Sequence, residues 1–170
     1  MNRSQKYSVL AVMAAIAGLA PLSAQAQGPA APAAMAAADS ALTPALLTKM
    51  LALVSAKGQD GKVAPRFASA LGLSAPDQPW PNHQVVAGNT DANHYIAVGP
   101  GAGSDILFTA RTPSGVTAIR VSRAGSLMSA MSLDVATHAI TPLNPADAQA
   151  ALAAECAFWA PIIDGFLGQK

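Results

Sequence analysis

The sequence predicts an α+β fold: N-terminal helices, an antiparallel meander of about five strands, and a C-terminal helix packed on one sheet face. Three observations carry this reading. Apolar residues recur with helical spacing over 46–54. From residue 84 the pattern changes to short apolar runs separated by turn residues, and after Asn144 helical spacing returns. Tight turns between short strands make an antiparallel sheet, and helices that flank such a run pack most simply across one face of it.

Ahead of the domain, Arg3 and Lys6 are followed by an almost uncharged apolar run over 8–20, then Pro21 and Ala24-Gln25-Ala26. A positive start, a short apolar run and a small-x-small site form a secretory signal peptide, here 1–26, with cleavage expected after Ala26. The run is about 13 residues, short of the roughly 20 a spanning helix needs. Export to the periplasm or beyond is expected, and no membrane span is expected after cleavage. Residues 27–41 are Ala/Pro-rich with no large apolar residue but Met35, a flexible tether. A single α+β domain is expected over 42–170.

The first helix is bounded by signals at both ends. Thr43 suits the N-cap and Pro44 the first helical position, and Gly58 is placed to end the helix in the left-handed conformation. A shorter helix is expected over 65–71, with Phe67, Ala70 and Leu71 inward and Gly72 as its stop. Three prolines in 74–83 argue against regular structure there and leave Trp80 as a lid over the core or a recognition residue. Strands are expected over 84–87, 93–98, 105–111, 116–123 and 126–134, with 135–140 a sixth or a continuation. Pro113 and Gly115 mark the clearest hairpin turn. Within 116–121, Ile119 and Val121 point inward, small Ala118 lies on the outer face, and Arg120 faces water. The last helix opens with Asn144, Pro145 and Asp147 as cap, first position and dipole partner. Pro161 is expected to kink or end it near 157–160.

Composition narrows the function. Without Arg3 and Lys6, eight basic residues face nine acidic ones. A balance so close to neutral supplies no basic surface for nucleic acid. A single cysteine in an exported chain forbids an internal disulfide, so burial alone must hold the fold. Cys156 lies on one stripe with Leu152, Trp159 and Ile163, the position of a packed thiol. Its other roles would be an interchain disulfide or a reactive centre, and adjacent Glu155 and the aromatic residues disfavour a thiolate.

No catalytic motif is complete. The glycines of 99–103 are followed by a strand rather than a helix, so no helix N-terminus faces a phosphate. Asn89, Asp91, Asn93 and His94 gather oxygen ligands but include one carboxylate, too few for calcium, and Asn, Asp and Gly are common turn formers. His83, His94 and His138 stand too far apart for a local zinc motif, and no G-x-S-x-G elbow occurs. Neither cofactor nor metal is expected. Arg111, Arg120 and Arg123 cluster on one predicted hairpin, and with Trp80 they are the candidate binding residues. The reading that follows is an exported binding or interaction module for an unknown protein or small ligand. The alternatives are a secreted hydrolase with a loop-assembled site from His83, His94, Asp91 or Asp105, and a homodimer linked through Cys156.

Overall fold

Seven strands follow one another across a single sheet in chain order, every neighbouring pair antiparallel. The structure is a computed structural model that describes residues 41–101 and 103–168. The expected signal peptide and all of the expected tether except Ala41 lie outside the described residues. The elements are α1 (Pro44–Lys57), β1 (Gln59–Val63), α2 (Pro65–Ala70), β2 (Trp80–Gly88), β3 (Asn93–Val98), β4 (Ile106–Arg111), β5 (Gly115–Val121), β6 (Leu127–Asp134), β7 (Ile140–Pro142) and α3 (Pro145–Leu167). This is the expected α+β class, with seven strands in place of about five.

The two further strands are those with the weakest side-chain signal. β1 reads QDGKV and shows no apolar alternation; its order comes from backbone pairing with β2, from Gln59 opposite Gln84 to Val63 opposite Trp80. It forces a correction at β2, which begins at Trp80 and takes in Pro81 opposite Lys62. One missing N–H is tolerated in a ladder beside a sheet edge. At the other end the chain leaves β6 through a turn, not the strand expected over 135–140. The Asp134 carboxylate accepts from the backbone N–H and hydroxyl of Thr137, and β7 follows from Ile140.

α1 begins as expected, with the Thr43 hydroxyl accepting from Leu46 N–H. Its end is different. Gly58 has φ −65° and ψ 143°, extended and not left-handed, because the chain passes directly into β1. Glycine is required there by close approach, since a Cβ would collide with the Val54 carbonyl. α2 does stop at a left-handed glycine, Gly72 with φ +71°. It buries Ala68 and Leu71, while Phe67 and Ala70 are only half-buried.

Both long helices lie on one face of the sheet. Met50, Leu53 and Val54 of α1 and Leu152, Cys156, Trp159 and Ile163 of α3 pack with Ile96, Phe108, Ile119 and Val121. Register explains the set, since Ile96 pairs with Phe108 and Phe108 with Ile119. Each large side chain buried there stabilises the fold by about 1.5–3 kcal/mol before entropy is charged. The other face carries a smaller core of Ala68, Leu71, Trp80, Ala97, Leu107 and Ala118 under α2. Ala118 is therefore fully buried rather than outward, because a second helix covers what the strand pattern marked as the open side.

α3 is capped by Asn144, whose side-chain oxygen accepts from Asp147 N–H at 2.9 Å. The helix neither ends nor loses its buried stripe at Pro161; it continues to Leu167 and Ile163 stays fully buried. Pro161 itself is exposed. At 23 residues with mean hydropathy 1.4, α3 has the length and apolarity of a membrane span, contrary to the sequence reading. Its apolar stripe is used against the sheet. A spanning role would also break the polar contacts of Glu155 described below, at high cost in lipid.

Candidate binding site on the open sheet face

α2 covers only part of its face, and the remainder is a groove of about 520 Å³. Strand alternation builds its floor. Ala97 and Tyr95 of β3, Leu107 and Thr109 of β4, and Val116 of β5 project to this side. Phe67 of α2 and Val63 of β1 form one wall, and Leu133, Val135 and His138 the other. Arg66 spans the two walls by donating to the His138 carbonyl at 3.0 Å. His138 has φ 57°, the one non-glycine residue with positive φ among the described residues. An ordered but sparsely populated conformation of that kind often marks a functional segment.

The chemistry of the groove is mixed. Its apolar floor carries Gln84, Tyr95, Thr109 and Arg111, and none of these side chains has a hydrogen-bond or ion-pair partner among the described residues. Polar groups that reach an apolar concavity unpaired are what orients a ligand in a site of this size. No aspartate or glutamate lines it.

The predicted arginine cluster divides. Arg111 lines the groove. Arg120 does not face water: its Nε donates to Asp105 at 2.5 Å, and its Nη1 donates to the carbonyls of Leu71 and Gly72 at 3.1 Å. These carbonyls follow the last residue of α2, so Arg120 caps its C-terminal end from β5 on the same sheet face. Arg123 donates to the carbonyls of Ser104 and Gly101, holding the glycine-rich β3–β4 loop. Asp105 is thus the partner of Arg120. Trp80 is a lid on the α2-side core at 7% exposure, with its ring against Gly99.

The histidine candidates separate as well. His94 Nδ1 lies 2.9 Å from Glu155 Oε1, and Trp159 Nε1 donates to Glu155 Oε2 at 3.2 Å. Phe158 stacks on the His94 ring at 3.6 Å between centroids. Burial pushes the Glu155 carboxyl up, opposed by the hydrogen bond and charge of His94. The pair lies largely buried beneath α3 and anchors the helix to β3. Beside it the Cys156 thiol, 3% exposed, is pushed up to about 11 by burial and then by Glu155. So placed, it meets neither a reagent nor a partner's thiol unless α3 opens locally.

His83 Nδ1 is 2.9 Å from Asp60 Oδ1, with side chains 65% and 92% exposed. His83 borders a second recess of about 620 Å³ together with Ser55, Gly99 and Arg123. No hydrogen bond joins Ser55 to His83, and water screens the ion pair. Asp91 sits in the β2–β3 turn, where the Asn89 side chain accepts from Asp91 N–H and Ala92 N–H. The structure therefore brings none of His83, His94, Asp91 and Asp105 together. The sequence reading missed the groove residues Gln84, Tyr95, Thr109 and His138. For Tyr95 and Thr109 the signal was parity, since they alternate with buried Ile96 and Phe108. Comparison with known proteins found no matching family model, curated relative or solved structure.

Proposed function

We propose that this chain is an exported binding module that takes its ligand on the open sheet face. The observation that carries the reading is the groove itself, an apolar floor bearing unpaired Gln84, Tyr95, Thr109 and Arg111. The hydrolase alternative lacks comparable support, because its histidines are separately engaged: His94 with buried Glu155, and His83 with a solvent-exposed aspartate. Export rests on Arg3, Lys6, the 8–20 run and Ala24-Gln25-Ala26. N-terminal sequencing of the protein recovered from outside the cytoplasm should then begin at Gln27.

Binding is tested with the fluorescent amphiphile 1-anilinonaphthalene-8-sulfonate and amide chemical shifts. Addition of the dye should move the resonances of Tyr95, Thr109, Val116 and Leu133. Thr109→Trp, which fills the groove from a half-buried position, should abolish those shifts and leave the circular dichroism unchanged. Shifts confined to the recess beside His83, or unaffected by the tryptophan, would count against this reading.

A further inference from the structure

Seven basic side chains fall among the described residues, and four are engaged away from the groove. Lys49 pairs with Asp164, Arg120 with Asp105, Lys57 lies over the Phe166 ring, and Arg123 holds loop carbonyls. The other three, Lys62, Arg66 and Arg111, have no carboxylate partner among the described residues, and all three border the groove. Lys62 and Arg111 line it, and Arg66 bridges its walls. No carboxylate lines the groove, and Asp91 borders only the adjoining recess that it shares with Arg111. Asp134, beside the wall that carries Val135 and His138, is occupied by Thr137.

We infer that the groove takes a small amphipathic carboxylate, with its head at Arg111 and its apolar body over Val116, Leu133 and Phe67. The inference rests on the binding reading above and adds the ligand's charge and shape. A planar guanidinium offers two parallel N–H donors to one carboxylate. The Tyr95 and Thr109 hydroxyls and the Gln84 amide supply further donors on the same floor. Charge alone is not enough at an exposed rim, where water and salt screen it. The apolar floor makes the site selective for an acid with a hydrophobic body, and a volume near 520 Å³ suits a ligand of modest size.

The test titrates the purified, processed chain with decanoate, decyltrimethylammonium, decanol and acetate, each below its aggregation threshold, and follows groove amide shifts. Decanoate should bind at least tenfold more tightly than each of the other three. Arg111→Gln should weaken decanoate at least tenfold and leave decanol unchanged. Equal affinity for the cation or the alcohol, or an Arg111→Gln protein that binds decanoate normally, overturns the inference while the groove remains a binding site. Failure of every probe, including the anilinonaphthalene dye, to move the groove resonances would instead defeat the binding reading itself.

Discussion

Glu155 is the only glutamate in the chain and one of two buried polar side chains among the described residues. Its two oxygens serve different partners, His94 on one and Trp159 on the other. Glu155→Ala leaves the indole N–H and the imidazole without partners in a buried site, a loss of about 2–5 kcal/mol in urea unfolding. Glu155→Gln keeps a carbonyl oxygen for Trp159 and should cost less. The two proteins also differ in pH dependence. Burial raises the folded-state pKa of Glu155 above the ordinary 4.5. The stability this contributes is full below pH 4.5 and is lost as pH rises through the folded value. The glutamine protein should therefore gain on the wild type as pH is raised from about 4; a constant gap between their unfolding midpoints would refute this. The neighbouring thiol gives a second test. With its pKa near 11 and its sulfur buried, Cys156 should react with a disulfide reagent at pH 8 only after urea is added. Immediate stoichiometric labelling of the native protein would show that α3 opens readily. Cys156→Ala should cost about 1–2 kcal/mol through a small cavity and leave groove binding intact.

Among the elements, α2 depends most on long-range contacts. It has six residues, no side-chain cap at its start, and last carbonyls that Arg120 holds from β5. A helix this short has little stability of its own. Arg120→Met leaves the Gly72 carbonyl and the Asp105 carboxylate unmet and leaves the Leu71 carbonyl only the Ser129 hydroxyl, a cost of about 1–3 kcal/mol. Amide hydrogen exchange should locate the effect: Leu71 and Leu73 should lose protection before the amides of α1 and α3. Equal loss in all three helices would mean that Arg120 supports the whole fold and not one element. Strand parity predicted that Arg120 and Ile119 point to opposite faces, and they do. What parity could not convey is that the supposed outer face is covered in part by α2, so that Arg120 meets a helix terminus before it meets water. The same limit applies to Ala118. Pro161 marks another: proline lowers the stability of a helix interior, yet packing of Ile163 on the sheet carries α3 through it.

For the whole molecule, the sheet is shared by two cores of unequal size, and each holds one tryptophan: Trp159 of α3 and Trp80 under α2. Because both cores use β3, β4 and β5, the sheet should unfold as one cooperative unit. Trp80→Phe and Trp159→Phe each leave one reporter. In either protein the urea midpoint by tryptophan fluorescence should coincide with that by far-ultraviolet circular dichroism. An earlier fluorescence midpoint in Trp159→Phe, where Trp80 reports, would show that the α2 side melts on its own.

Local chemistry made much of this architecture legible. Thr43, Asn144 and the two prolines after them mark helix starts, because caps act within one turn. The stripe of Leu152, Cys156, Trp159 and Ile163 marks a buried helix face, because helical period is a property of neighbours in sequence. The same reasoning accounts for Cys156 as packing. The pairing of His94 with Glu155, 61 residues apart, was not legible, nor was the service of Arg120 to α2. The groove was not legible either, since Gln84, Tyr95, Thr109, Arg111 and His138 come from four separate stretches of chain. Period and capping are fixed by residues a few positions apart. Which unpaired polar groups share a concavity depends on strand register and on how far a short helix covers a face, and those are settled only when the sheet assembles.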